Sequence, residues 1–250
     1  MDEALLVIAA GLIAGAMNAL AGGGSFVTLP VLLATGMPSV AANATSTVSL
    51  WPGGLASAVV YRGGLRPIAG VGPRVMLAIS ITGGAIGAGL LLWTPERLFD
   101  RLLPWLALLA TLALAFAPRI GPWMQARLGS RGAPLLLAGQ LLLGIYGGYY
   151  GGAVGLMMSA LWSLIDSADL KVLAGSRLLM ATAANAAAIL CFALAGIVAW
   201  GTVLLLGGGA LAGGYAGAAL GKRLPLPLVR GVTLVLCVAI TIAFFLRAYR

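Results

Sequence analysis

Histidine is absent from this chain, and acids are scarce: six Asp and Glu in 250 residues. Without imidazole there is no neutral-pH general base, proton shuttle or nitrogen metal ligand. None of the six carboxylates falls in a clearly apolar run, so the carboxylate relays that proton-coupled pumps place at membrane depth are missing as well. A Ser or Thr nucleophile would have no base beside it. These gaps argue against an enzyme, a cofactor and a metal site. Only two cysteines are present, Cys191 and Cys237, both within apolar runs, where they read as small hydrophobic packing residues.

Charge of either sign is also sparse. Charged residues make up 8% of the chain and hydrophobic ones 61%, with a mean hydropathy of +1.07. Soluble domains are roughly a quarter charged. Apolar runs of about 18 residues or more recur along the length, which is the pattern of a polytopic helical membrane protein. Runs such as 102–117 and 232–246 do not alternate, which excludes a bilayer-spanning barrel. The net charge of +9 comes from Arg and Lys in short loops between apolar spans. That distribution follows the positive-inside rule and gives no nucleic-acid footprint. The chain opens with Asp2 and Glu3, where a signal peptide needs positive charge, so its first apolar stretch reads as a retained membrane segment. No soluble segment is long enough to fold alone. The expectation is one multi-pass domain over 1–250 in the lipid bilayer of a bacterial-type inner membrane.

What is abundant is glycine, 37 residues, and its placement repeats. Gly83, Gly84 and Gly87 match Gly213, Gly214 and Gly217 at a spacing of 130. Pro95 and Pro225, Leu98 and Leu228, and Ala44 and Ala174 share that spacing. Gly15 meets Gly144, and Gly22–Gly23 meet Gly151–Gly152, at 129. This predicts two copies of one unit, 1–120 and 131–250. Each copy opens with a segment interrupted by glycines, Ala21–Ser25 in the first and Gly147–Gly152 in the second. Glycine weakens a helix by about 1 kcal/mol relative to Ala, so consecutive ones break it. Three spans follow in each copy, 42–61, 70–92 and 102–117, then 172–197, 202–220 and 228–246.

Equivalent loops carry opposite charge bias. The 62–74 loop holds Arg62, Arg66 and Arg74, whereas 192–204 holds no charge; the 92–101 loop balances two acids against two Arg, whereas 222–231 holds Lys222, Arg223 and Arg230. If each broken segment folds back as a hairpin, the copies become inverted. Ten Lys and Arg then face the cytoplasm and four (Arg97, Arg101, Arg247 and Arg250) face outward. The predicted fold class is therefore all-α and polytopic, with two inverted repeats and about 8 to 10 membrane segments. In each repeat a broken or hairpin first segment precedes three spanning helices.

Inverted repeats with matching broken helices point to a secondary transporter whose half-helix N-termini face an anion. Gly22, Gly23, Gly24 and Ser25 open one half-helix, and Gly151 and Gly152 open the other. Asn18 precedes the first break, and Tyr146, Tyr149 and Tyr150 flank the second as a lining or gate. The following spans bear polar groups: Asn43, Thr45, Ser46, Thr47 and Ser49 in the first copy, and Ser176, Arg177, Thr182 and Asn185 in the second. Arg177 lies in the first two turns of the apolar run 172–197. A guanidinium there faces a partner, a cavity or an anion, and with acids nearby only at Asp166 and Asp169, a small mobile anion is the expected substrate. Trp51, Trp93, Trp105, Trp123, Trp162 and Trp200 read as interfacial anchors.

The run Asn18-Ala-Leu-Ala-Gly-Gly-Gly-Ser25 with Pro30, then Ala41-Ala-Asn-Ala-Thr-Ser-Thr47, then Tyr61-Arg62, resembles the sulfite exporter TauE/SafE family. A looser second-half match covers 144–155 and Ala174-Gly-Ser-Arg177, where Tyr149-Tyr150 replaces small residues. The resemblance implies a duplicated membrane transporter of sulfur-containing anions such as sulfite, sulfoacetate and other organosulfonates. It carries binding roles onto Asn18, Gly22–Ser25 and Asn43–Thr47. An anion channel, or a carrier for an unrelated small organic anion, is the alternative.

Overall fold

The computed structural model describes residues 3–60, 67–128, 132–165 and 173–249. Tyr61, Arg62, Arg66, Arg131, Asp166, Asp169, Lys171 and Arg250 lie outside the described residues. The first half contains α1 (Glu3–Leu20), α2 (Ser25–Ala34), α3 (Ser39–Val60), α4 (Pro73–Trp93) and α5 (Glu96–Leu128). The second contains α6 (Gly132–Tyr150), α7 (Val154–Ile165), α8 (Ala174–Leu194), α9 (Trp200–Gly221) and α10 (Leu226–Ala248). Among the described residues the only β pairing is an isolated bridge between Ile68 and Val71.

Among the described residues six helical stretches are long and apolar enough to cross a bilayer: α1, α4, Glu96–Ala117 of α5, α8, α9 and α10. Leu90, Leu204 and Val235 on three of them point outward, as a lipid-facing surface requires. The chain is thus an integral, multi-pass, all-helical membrane protein. The 22-residue α3 is not in that set. Its Asn43, Thr45, Ser46, Thr47 and Ser49 lower its hydropathy, and all five are buried against other helices instead of facing lipid.

Two element boundaries differ from those predicted. The expected span 102–117 starts at Glu96, because Pro95 presets the first turn and its carbonyl accepts from Leu98 and Phe99 N–H. It continues to Leu128, and at 33 residues is about 50 Å long, well beyond an apolar slab of about 30 Å. The added end carries Arg119 and Arg127. The second break lies later than predicted, at 151–153, and Gly147 and Gly148 remain helical. Those two glycines serve close approach: a methyl at Gly148 would strike the Gly84 backbone, and one at Gly147 would meet Val154.

Both interrupted segments fold back on themselves. Gly132 lies by Ile165, Gly139 by Leu161 and Gly147 by Val154, so α7 runs antiparallel along α6. A buried network holds this register. Gln140 donates to Ser80 Oγ at 2.8 Å, and Trp162 Nε1 donates to Gln140 Oε1 at 3.1 Å. In the first half Gly24 touches Ala14 and Asn18, and Val27 packs near Ala14, so α2 returns along α1.

The main helix pairs run between halves. α1 packs along α9 and α4 along α6, while α3 meets both α8 and α9 and α5 meets α10. Small residues permit this closeness. Gly213 lies against Leu12 and Gly217 against Ala16; Gly83 lies against Leu141 and Gly87 against Ile145.

Candidate functional site

The two breaks meet inside the bundle. Gly22, at φ +89°, lies against Gly155, where an added methyl would come within 2.6 Å of its Cα. Gly152 lies against Ser25 of the other hairpin, and Gly151, at φ +67°, against Thr47 and Asn43. Only residues without a side chain let two backbones cross this closely. The starts of α2 and α7 therefore face one space. Each helix start has N–H groups without intrahelical acceptors and a partial positive charge.

That space is a chamber of about 20 Å³, room for about one water. Asn18, Gly22, Ser25, Gly151, Gly152, Arg177, Thr182 and Asn185 bring polar groups to its lining, and Leu50, Trp51, Val154, Leu178 and Ala181 bring apolar ones. Ser25 is 3% exposed, and among the described residues its hydroxyl has no hydrogen-bond partner. Asn185 Oδ1 is buried in the same condition. A buried polar atom left unpaired costs about 1–3 kcal/mol, so a ligand or water is the natural complement.

Arg177 enters from the first turn of α8 and is 8% exposed. Its Nη1 donates to Ala21 O at 3.4 Å and to Ser159 Oγ at 3.2 Å, and its Nη2 donates to Ala19 O at 3.2 Å. The guanidinium thus caps the free carbonyls where α1 breaks, at the negative end of that helix dipole. The protein's own backbone supplies part of the partner that the sequence left open.

Arg177 also lies on a second cavity, of about 390 Å³, between α5, α7, α8 and the α9–α10 turn. Lys222 and Arg230 share its wall with Leu114, Leu156, Leu226 and Val229. Arg230 Nη2 donates to Leu114 O at 2.6 Å and to Ala115 O at 3.1 Å. Leu114 O needs that donor, since Pro118 has no N–H to offer it one turn later. Among the described residues the charged groups of this vestibule are Lys222, Arg177 and Arg230, and Arg177 is shared with the chamber.

Other predicted residues are placed elsewhere. Gly23 and Gly24 pack against α1 and Leu156 behind the break. Asn43 Nδ2 donates to Tyr149 O at 3.0 Å, and Thr47 Oγ1 donates to Asn43 O, so both brace the second break from outside the chamber lining. Thr45 Oγ1 accepts from Ala199 N–H at the start of α9, and Ser46 Oγ pairs with Thr28 of α2. Ser176 is buried, 1% exposed, off the chamber lining. None of the three tyrosines is in the lining, although the Tyr150 ring stands beside Gly152. Tyr146 donates to Leu106 O, Tyr149 to Thr94 Oγ1, and Tyr150 is fully buried against Tyr146.

Sequence reasoning missed Ser159, Gly155 and the position of Trp51. Trp51 lines the chamber, and Trp162 is 1% exposed in the Gln140 network, so neither is an interfacial anchor. Trp93, Trp105, Trp123 and Trp200 are all exposed. A signal for Trp51 existed: Pro52-Gly53-Gly54 follows it in mid-span, where no helix end is due. Among the described residues no cluster of Cys, Asp or Glu could hold a metal.

Comparison with known proteins gives a consistent picture. The profile of the sulfite exporter TauE/SafE family matches residues 7–244. The "Probable membrane transporter protein" of Haemophilus influenzae is 29% identical, over 99% of this chain and 94% of its own length. The "Probable membrane transporter protein YfcA" of Escherichia coli K12 is 30% identical, over 86% and 78%. The "Probable membrane transporter protein ORF9" of a Sinorhizobium species is 29% identical, over 98% and 91%. No solved structure matches.

Proposed function

This chain belongs to the sulfite exporter TauE/SafE family of membrane transporters, and from that premise we propose that it is a secondary carrier for a small sulfur-containing anion, sulfite or a short sulfonate. It works in a bacterial-type inner membrane as one domain of two inverted repeats, 1–120 and 131–250. The observation that carries the reading is Ser25: a buried, unpartnered hydroxyl between two helix starts and beside a guanidinium. Donors of all three kinds suit an oxyanion, and Asn18, Gly22, Gly151, Gly152 and Asn185 complete the surround.

Alternating access has its support in reciprocal packing. Leu12 and Leu141, and Ala16 and Ile145, each stand 129 apart, and they receive Gly213, Gly83, Gly217 and Gly87 in matching pairs. Thr111 and Thr241, 130 apart, bond each other at 3.1 Å. Equivalent residues meeting in this way favour a two-fold relation. The chamber is smaller than an oxyanion, so seating one requires the walls to part. The vestibule draws the anion toward Arg177, and rocking of one repeat against the other exposes the site to the opposite side. A channel would need a continuous water path, and a chamber of one water's volume favours the carrier.

Ser25→Ala is the sharpest test. It removes no protein hydrogen bond, so the melting temperature in detergent stays level or rises. Labelled sulfite uptake into proteoliposomes should lose roughly 10-fold in apparent affinity, the worth of one hydrogen bond to a charged group. Arg177→Lys keeps a charge but loses the fork, and should lose at least as much. Saturable uptake that both variants leave unchanged would remove the chamber from the transport path.

A further inference from the structure

We infer that Trp51 sets the size of the anion that the chamber accepts, restricting it to a compact oxyanion head with a short apolar tail. The inference rests on the chamber being the anion site and adds the residue that limits what fits there. Trp51 lines the chamber together with Ser25 and Arg177, and is its bulkiest apolar side chain. Its indole is pinned, with Nε1 donating to Thr182 O of α8 at 3.0 Å. The helix beneath it is pinned as well. Gly53 lies directly on the backbone of Ala210 and Gly214 in α9, and Gly54 lies by Thr182 Oγ1. The ring therefore cannot retreat into α3, and α3 cannot retreat from the chamber. The little free volume that remains, about 20 Å³, is what the indole leaves.

The corresponding positions of the two halves sharpen this assignment. The residue 130 positions after Trp51 is Ala181, which lines the same chamber. The residue 130 positions after Thr47, one turn earlier on α3, is Arg177. One half thus contributes the bulk and the other the charge. A bound anion is held by its head at Arg177 and Ser25, with its tail directed at the indole. A hydrophobic pocket discriminates one methylene by about 10-fold or more when there is no room for it.

The experiment is competition against labelled sulfite in proteoliposomes by methane-, ethane-, propane- and butanesulfonate. In the wild type, inhibition should drop by about 10-fold or more at one step of this series. Trp51→Ala should move that step to a longer homologue and restore 10-fold or more to the one that was excluded. Trp51→Phe, which keeps an apolar ring but is narrower and loses the Thr182 bond, should shift the profile by less, and it carries the test if the alanine variant does not fold. An unchanged length profile in a folded variant, or a wild type indifferent to length, overturns the role of Trp51 while leaving the anion site intact. If the wild type recognises neither sulfite nor any sulfonate, the underlying reading of the chamber fails.

Discussion

Gly22 and Gly36 have nearly the same backbone angle, φ +89° and +84°, in different surroundings. Nothing lies within 4 Å of a methyl added to Gly36, whereas at Gly22 it would press on Gly155. Gly36→Ala should therefore cost only the left-handed penalty of about 1–2 kcal/mol. Gly22→Ala adds overpacking of roughly 1–3 kcal/mol and pushes the two breaks apart. Thermal denaturation in detergent should rank the two variants in that order, and equal losses would contradict a direct meeting of the breaks. Composition alone marked 21–25 as unable to stay helical. It could not say which glycine would touch which, because that depends on contact across 133 positions of chain.

At the scale of elements, the α6–α7 hairpin has a polar lock that its counterpart lacks. Gln140 is fully buried and bridges Ser80 of α4 and Trp162 of α7. Gly11 and Leu33, which stand 129 positions before Gln140 and Trp162, have no side-chain hydrogen-bonding group, and Gly11 packs on α9 instead. Trp162→Phe should leave Gln140 Oε1 unpaired at a cost of about 1–3 kcal/mol. Adding Gln140→Leu should recover part of that loss, which makes the double variant clearly non-additive in a melting experiment. Full additivity would show that the two side chains do not depend on each other. The helices themselves were legible, since long apolar runs admit little else in lipid. The end of α5 was less so, because Arg119 and Arg127 marked a hydropathy boundary while the helix continued past it. Asn43 and Thr47 looked like ligands for a substrate. In the fold they brace the second break, and a hydroxyl or amide suits either task.

For the whole molecule, charge separates the two ends of the bundle. Lys222 and Arg230 line the vestibule beside the far part of α5, whereas Asp100 pairs with Arg247 at 3.9 Å near the start of that helix. On the positive-inside rule we propose that the vestibule faces the cytoplasm and the end of α10 the outside. A reporter active only in the cytoplasm, fused after residue 250, should be silent, and a strong signal would reverse this orientation. The closest helix packing runs between the halves, α1 along α9 and α4 along α6.

The sequence by itself determined the class of protein, the place of the first helix break and the family, because hydropathy, consecutive glycines and a local motif are properties of neighbours along the chain. Only the tertiary structure decided that Trp51, Ser25 and Arg177 share one chamber and that Arg177 caps α1. The physical reason is that each of these depends on where a second segment, more than 100 residues away, packs. Small residues set how near two helices come but do not name the partner.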